Sequence, residues 1–203
     1  MKVTYPLVII VSCLMFACSN PPLPETNYYL LNTPTKSTAK TDPLVSDLQE
    51  KKIVQLNLEL AHYLQQPFLV MQTDNNVLHY AQSHMWAEPL AKEINQALFF
   101  DLRQLDKEQK YQWLPVRNMV KMNNSEYYNL AVSVEYFHAN TLGKVVLSGS
   151  YQWLVTAQEK RTEYQNFYFE SELQLDGYAH SVTQMRVLLN ELAKQIAGDI
   201  PAV

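Results

Sequence analysis

The residues with the clearest chemical potential are two cysteines near the N-terminus, Cys13 and Cys18, which carry the only thiols of the chain. Cys18 directly follows Ala17, and an apolar run from Val3 to Phe16 precedes both. This order is typical of a secretory signal whose apolar segment is too short to span a bilayer. A small residue directly before a cysteine is typical of a bacterial lipobox, in which the cysteine sulfur is acylated. We therefore predict that Cys18 is acylated and becomes the mature N-terminus.

The alternatives to this assignment are weaker. Use of Cys13 as the acceptor would shorten the apolar segment and leave an apolar tetrapeptide on the mature protein. Met15 and Phe16 occupy lipobox positions where leucine and a small residue are usual. An ordinary secretory signal would have an A-x-A site, and an uncleaved anchor a stop-transfer charge cluster, but the sequence has neither. We predict a signal peptide over residues 1–17 and a lipidated tether over residues 18–27.

The predicted anchor places the protein at a membrane. Several acyl chains bury methylene groups at about 0.8 kcal/mol each, so the anchoring is effectively permanent. Ser19 follows the cysteine, at the position where an aspartate retains many lipoproteins at the inner membrane. The next residues are polar and proline-rich, which is typical of a short extended tether. We therefore expect the protein at the periplasmic face of the outer membrane, with its folded part close to the lipid.

The composition excludes several partners and stabilising devices. The chain of 203 residues has a formal net charge of −4 at pH 7, so it lacks the basic surface that binds nucleic acid. Because both cysteines lie in the signal region, the mature chain can form no internal disulfide. Its length suits one compact domain with a substantial core.

The histidines show no spacing typical of a metal site, neither H-E-x-x-H nor an i, i+4 pair on a helix. With no mature thiol besides Cys18, a structural zinc site of the cysteine type is excluded. His79 and His84 could in principle share a metal, but we interpret them as exposed loop residues. We predict no metal and no cofactor. The five histidines are His62, His79, His84, His138 and His180.

The hydroxyl and carboxylate side chains form no catalytic constellation. Ser148 and Ser150 flank Gly149 on a predicted strand, without the strained turn that exposes a nucleophilic serine. The glycines are spaced too widely for a G-x-G-x-x-G fingerprint, a P-loop or a G-x-S-x-G elbow. Clustered acidic residues are interpreted as solvated edges rather than acid–base pairs. They are Asp101, Asp106, Glu108, Glu170 and Glu172. We therefore predict that the protein is not an enzyme.

Alternation of polar and apolar residues predicts the strands that hold these side chains. In the strand at 128–138 we expect Leu130, Val132, Val134 and Tyr136 to face inward. The stretch at 33–50, rich in Thr, Ser, Lys and Pro, is interpreted as an exposed, disordered loop. The predicted strands cover residues 28–32, 52–61, 68–72, 77–80, 111–116, 128–138, 144–156 and 162–175.

Two helices follow from apolar residues at spacings of three and four. The first starts near Trp86 and turns Lys92, Glu93, Gln96 and Arg103 outward; its inward residues are Leu90, Ile94, Leu98, Leu102 and Leu105. The second spans residues 178–198, and its apolar stripe is interpreted as a core face rather than a partner-binding face. That stripe consists of Val182, Met185, Leu189, Leu192 and Ile196.

These elements predict an α+β fold, a largely antiparallel β-sheet with two main amphipathic helices packed on one face. The three long consecutive strands near 128–175 favour an antiparallel meander.

Several motifs, in the same order along nearly the whole mature chain, resemble the PqiC family (also YmbA) of ABC-type transport auxiliary lipoproteins. Each motif alone has a structural explanation, such as a turn or a helix start. The motifs are the lipobox at Cys18, Asn27-Tyr28-Tyr29-x-Leu31, Tyr63-Leu64, Val70-x-Gln72-Thr73, Trp86-Ala87-x-Pro89-Leu90, Gly143-Lys144-Val145-Val146-x-Ser148-Gly149 and Asp176-Gly177-Tyr178.

The resemblance implies a single PqiC-like periplasmic domain over residues 28–203 and a role without catalysis. Members of the family accompany MCE-domain lipid transport systems of the Gram-negative envelope. The implied partner is a PqiB-like MCE tunnel protein, with a PqiA-like protein in the inner membrane as an indirect partner. The lipoprotein would dock the outer-membrane end of the tunnel and support envelope integrity. Self-association into a homo-oligomeric ring that matches the tunnel is a further hypothesis.

Two other functions stay open at this point. A periplasmic lipid-binding carrier would hold an acyl chain between the helices and the sheet, and would need an apolar cavity. An envelope hydrolase would need a nucleophile and a base that the sequence does not offer. The surface that contacts the partner is unknown; Tyr28, Tyr29 and Phe137 are candidates because they do not fit the predicted core.

Overall fold

A computed structural model describes residues 25–32, 52–115, 127–155 and 160–201. The predicted signal peptide, most of the tether and the predicted loop at 33–50 lie outside these ranges. A short 3-10 helix, His62–Gln65, accompanies the regular elements. These are β1 (Asn27–Tyr29), β2 (Lys52–Leu60), β3 (Phe68–Asp74), β4 (Val77–Trp86), α1 (Leu90–Leu105), β5 (Tyr111–Pro115), β6 (Tyr127–Asn140), β7 (Lys144–Val155), β8 (Lys160–Arg161), β9 (Gln165–Glu172) and α2 (Tyr178–Gly198).

Strand β6 organises the sheet. One of its edges pairs with β7 along nearly its whole length. Since a strand has two edges, β2 and β3 must share the other one. β2 pairs with the first half of β6, up to Leu60 opposite Val134, and β3 pairs with its end, where Met71 lies opposite Ala139. The 3-10 helix connects β2 to β3, beside the part of β6 that neither strand covers.

The sheet is mostly antiparallel, and the predicted α+β class is confirmed. The meander of β6, β7 and β9 runs as expected, with β7 antiparallel to both neighbours. β3 and β4 form a further antiparallel pair. The parallel pairs were not predicted; they are β1 with β4, β2 with β5, β2 with β6, and β3 with β6.

A β-bulge in β6 makes one sequence prediction wrong. The register with β7 shifts between Val134 and Tyr136, so the alternation of faces reverses there. Leu130, Val132 and Val134 are buried as expected, but Tyr136 is 50% exposed. Phe137 takes the inward position instead and is only 1% exposed, so it is a core residue rather than a partner contact.

The boundary between β4 and α1 also differs from the prediction. β4 continues well past the predicted short strand to Trp86, and α1 begins at Leu90 after Pro89. Trp86 is therefore the buried last residue of a strand and not a helix start; its amide donates to the Pro67 carbonyl oxygen at 2.8 Å. Proline at the helix entry is favourable because it has no N–H group to leave unpaired.

Both helices pack together on one face of the sheet. α1 contacts β2 and β5, α2 contacts β7 and β9, and the helices contact each other. The predicted apolar stripe of α2 is buried, which confirms that it is a core face. Its buried members include Val182, Met185, Leu189, Leu192 and Ile196. Within the described ranges, no helix combines the length and apolarity needed to cross a membrane.

Candidate functional site

The predicted lipidation site, Cys18, lies outside the described residues, so its acylation stays a prediction. The structure does describe the point where the tether joins the folded part. β1 pairs in parallel with the end of β4, with Asn27 opposite His84 and Tyr29 opposite Trp86. We call the segment from Asn27 to Asn32 and its contacts the tether junction.

A buried carboxylate holds the tether junction to α1. The Glu93 side chain is 3% exposed, and its Oε2 accepts hydrogen bonds from the backbone N–H groups of Leu31 at 2.9 Å and Asn32 at 3.1 Å. The Asn32 side-chain amide in turn donates to the Glu93 carbonyl oxygen at 2.7 Å. The prediction that Glu93 faces solvent is therefore wrong, because an inward carboxylate satisfies backbone donors that would otherwise be buried without a partner.

Aromatic side chains also hold the tether junction, through contacts of Tyr29 with β4 and of His84 with α2. The Tyr29 hydroxyl lies 2.7 Å from His84 Nδ1, and the His84 ring stacks on Tyr178 with a centroid separation of 3.9 Å. Burial, followed by the proximity of Tyr178, raises the pKa of Tyr29. His84 is thus not a free loop residue but a link between β1, β4 and the start of α2. Tyr28, by contrast, is largely exposed.

Glu93→Ala should loosen the tether junction selectively. Removal of the acceptor leaves the amides of Leu31 and Asn32 without their partner, so we expect the local opening free energy to fall by about 2 kcal/mol. Native-state hydrogen exchange at the Leu31 amide measures this change. Glu88→Gln is a matched control on the preceding turn, because Glu88 makes an exposed ion pair with Lys92. Equal exchange rates in the two variants would contradict the role of Glu93.

The helices are linked by a second buried carboxylate. Asp101 on α1 is 3% exposed and makes a two-pronged ion pair with Arg186 on α2, with N–O distances of 2.6 and 2.7 Å. Asp101 was predicted to lie on a solvated edge, and that prediction is wrong. Both of its oxygens are occupied by the guanidinium group, so the carboxylate has a structural role. The sequence alone does not indicate that Asp101 pairs with Arg186, because the two residues are 85 positions apart.

The other acidic residues of that prediction serve local structure or pair at the surface. Asp106 ends α1 and accepts from the backbone N–H groups of Lys110 and Tyr111 at 3.0 and 2.9 Å. Glu170 pairs with Lys144 across β7 and β9 at 2.6 Å, with both side chains partly exposed. Glu108 is exposed and pairs with Lys110. In the described part of the chain, no group of three or more His, Cys, Asp or Glu side chains could hold a metal ion.

An open groove of about 440 Å³ lies where β6 is left uncovered between β2 and β3. Tyr63 and Tyr136 line it with His138, and the Tyr63 hydroxyl donates to the Glu135 carbonyl oxygen at 2.9 Å. His138 is 1% exposed, and burial lowers its pKa, which favours the neutral form of the ring. Its Nδ1 lies 3.2 Å from the Ala139 carbonyl oxygen and donates to it, while Nε2 has no hydrogen-bond partner among the described residues.

The serines beside Gly149 lie on β7, on the side opposite to the buried residues, as the sequence predicted. Gly149 on β7 lies beside β6 in the sheet, opposite Val134, and a Cβ atom built on it would collide with the Ser133 carbonyl oxygen. The glycine therefore allows close strand packing and does not form a nucleophile turn. Ser148 lies between Tyr136 on β6 and Tyr168 on β9 in the register of the sheet.

The same layered arrangement of a sheet and two helices occurs in solved structures. The crystal structure of an uncharacterized protein superposes with a TM-score of 0.69 at 22% sequence identity, over 88% of this chain and 100% of the other. A Xanthomonas campestris protein of the family DUF330 superposes with a TM-score of 0.60 at 13% identity, over 73% of this chain and 82% of the other. At these identities the likeness shows the fold alone. No curated protein matches the sequence.

The family model for the ABC-type transport auxiliary lipoprotein component matches residues 29–197. This range includes the tether junction from Tyr29 onward, the described sheet except the first two residues of β1, and all of α2 but its last residue. The chain therefore belongs to the family of ABC-type transport auxiliary lipoproteins, and the resemblance seen in the sequence motifs is confirmed. This is not a known enzyme family.

Proposed function

We propose that the protein is an outer-membrane-anchored component of an MCE, Pqi-type, intermembrane phospholipid transport system. In this role its single periplasmic domain docks a PqiB-like tunnel protein at the outer membrane, and a PqiA-like protein lies at the inner-membrane end. The observation that carries the proposal is the family match over residues 29–197, together with the lipobox that precedes it. Phospholipid would then pass between membranes without crossing water, which supports envelope integrity.

The tether junction supports a docking role. Nine residue steps separate Cys18 from Asn27, so an acylated Cys18 confines the domain within about 30 Å of the lipid. The buried hydrogen bonds of Glu93 and the stack of His84 on Tyr178 then fix how the domain joins its anchor. Confinement raises the effective concentration of domain and tunnel at the membrane, so modest contacts suffice for docking.

The packed core favours docking over a lipid carrier. Side chains with no exposed surface fill the space between the helices and the sheet. They include Ile94 and Leu98 on α1, and Leu189 and Leu192 on α2. An acyl chain in that layer would have to displace them. Native mass spectrometry of the purified protein tests this point, since co-purified phospholipid would support the carrier instead.

Crosslinking in cells tests the proposal as a whole. We expect a tagged protein, crosslinked and purified, to recover an MCE-domain protein that mass spectrometry identifies. Cys18→Ala should abolish acylation and signal cleavage, so the variant should keep its signal, fail to reach the outer membrane and lose the MCE protein. Cys13→Ala is the matched control and should behave as wild type, because this residue is removed with the signal.

The outcomes separate the parts of the proposal. Recovery of no MCE protein with wild type, despite correct acylation, would contradict the docking role. Loss of acylation in Cys13→Ala instead of Cys18→Ala would move the anchor to the other cysteine. For self-association into a homo-oligomeric ring, only monomer in native mass spectrometry at high concentration would argue against it.

A further inference from the structure

One end of the sheet carries apolar side chains on its turns. Leu142 between β6 and β7 is 82% exposed, Val77 after the β3–β4 turn is 52% exposed, and Leu175 after β9 is 66% exposed. Leu78 beside Val77 is also exposed. We call these four residues the apolar tip. Turns usually carry polar residues or glycine, so apolar side chains on three neighbouring connections are unusual.

Hydrogen bonds bring the three connections together. The Thr141 amide donates to the Gln72 carbonyl oxygen at 3.1 Å, and its hydroxyl donates to the Thr73 carbonyl oxygen at 3.3 Å. The Leu173 amide donates to the Gly143 carbonyl oxygen at 2.7 Å. The β3–β4 turn, the β6–β7 turn and the end of β9 therefore form one continuous surface.

The most exposed residue of the apolar tip is held in place. Asn140 Oδ1 accepts hydrogen bonds from the amides of Leu142 and Lys144, both at 3.0 Å. Gly143 closes the turn with φ of +72°, a left-handed conformation that favours glycine. The side chain of Leu142 is thus displayed by an ordered hairpin.

The direction of β1 indicates what covers the apolar tip. Because β1 runs parallel to β4 with Asn27 opposite His84, the N-terminal end of β1 faces toward Val77 and the β3–β4 turn. The seven steps from His84 back to Val77 span about 23 Å of strand. The nine steps from Asn27 back to Cys18 reach about 30 Å. An anchor at Cys18 can therefore lie in a membrane that the apolar tip also touches.

We propose that the apolar tip inserts into the surface of the bilayer that holds the acylated Cys18. This inference rests on the lipid anchor of the proposed function and adds a defined orientation to it. In this orientation the β3–β4 and β6–β7 turns contact the membrane. The α1–β5 connection, at the other end of the sheet, faces the periplasm. The anchor supplies the affinity, and the apolar tip prevents the domain from swinging freely on its tether.

Charge near the apolar tip indicates which lipid surface it accepts. Asp74 and Glu172 are exposed beside it, and the cation Lys144 is already paired with Glu170 at 2.6 Å. Exposed carboxylates are repelled by anionic headgroups, so the fitting partner is a zwitterionic phospholipid surface.

Spin labels on the lipidated mature protein test the orientation. Cys18 is acylated in this form, so Leu142→Cys and Val77→Cys each supply one free thiol for a nitroxide, and both positions are exposed. Glu108→Cys is the matched control, on the exposed α1–β5 connection. The protein is reconstituted into phosphatidylcholine vesicles, and collisions of each label with a polar nickel reagent are measured by EPR.

We expect the collision rate at positions 142 and 77 to be roughly threefold lower than at position 108, because tip residues buried 5–10 Å into the headgroup region avoid the polar reagent. Equal rates at all three positions, on acylated protein that floats with the vesicles, would overturn the apolar tip and leave the anchor standing. Intact-mass measurement reports acylation separately; a mass without acyl chains would overturn the anchor and this orientation with it.

Discussion

Gly149→Ala is expected to lower the free energy of unfolding by about 3 kcal/mol or more. The β-carbon would collide with the Ser133 carbonyl oxygen on the neighbouring strand and would lie 2.9 Å from Phe167 Cζ on β9. Phe167 could rotate, but the Ser133 carbonyl belongs to the backbone of β6, which pairs on both edges. Relief of the clash therefore requires the central strands of the sheet to move apart.

Urea denaturation followed by circular dichroism measures the change, as a lower midpoint with an unchanged slope. Gly198→Ala is the matched control. Gly198 ends α2, and an added β-carbon there meets no atom of the described residues within 4 Å, so alanine should be neutral or stabilise the helix by up to about 1 kcal/mol. If Gly149→Ala unfolds at the wild-type midpoint, the close packing of β6 on β7 is not what requires glycine at this position.

Position 149 also shows what the sequence could predict about the fold. The alternation along β7 identified the buried face correctly from Val145 to Val155, because a strand buried on one face imposes a period of two. The heptad-like stripe of α2 was equally clear, and the helix begins and ends where the pattern does. The same alternation could not show that one inward position lacks room for a methyl group.

Periodicity failed where local geometry broke it. The bulge between Val134 and Tyr136 depends on how β6 registers with β7, and no single-strand pattern contains that information. Its effect is large because it exchanges Tyr136 and Phe137 between the groove and the core. The parallel pairing of β1 with β4 was missed for a similar reason, since it pairs residues 57 positions apart, such as Asn27 and His84.

The candidate site was predicted less well than the fold. The acylation of Cys18 stays a prediction, because this residue lies outside the described ranges, while the family is shown by the match over residues 29–197. The sequence pattern assigned Glu93 and Asp101 to solvent because charged residues are rarely fully buried unless they are paired. Each proved to be buried with a partner distant in sequence, the backbone of the tether junction for Glu93 and Arg186 for Asp101.

Arg186→Ala is the second variant with a large expected effect, a loss of about 3 kcal/mol in the free energy of unfolding. It leaves the Asp101 carboxylate, which is 3% exposed, without the guanidinium group that pairs with both of its oxygens. Asp101→Leu should cost less, because the side chain of Arg186 is 26% exposed and its charge can turn toward water. Both variants are measured by urea denaturation.

A double variant shows how much of that loss comes from the uncompensated charge of Asp101. Asp101→Leu combined with Arg186→Met removes both charges and keeps apolar volume between α1 and α2. We expect this variant to unfold within about 1 kcal/mol of wild type, and thus to be more stable than Arg186→Ala. Such a result would mean that the pair adds little net stability, and that most of the loss in Arg186→Ala comes from the charge left on Asp101.

The control for these variants lies about two turns further along α2. Lys194 pairs with Glu191 at 2.8 Å, but both side chains are about half exposed, so Lys194→Ala should change the free energy of unfolding by less than about 0.5 kcal/mol. Raised salt should screen this exposed pair more than the buried one. Equal losses for Lys194→Ala and Arg186→Ala would show that burial gives Asp101 no special dependence on its partner. The helices would then be held together by their apolar faces alone.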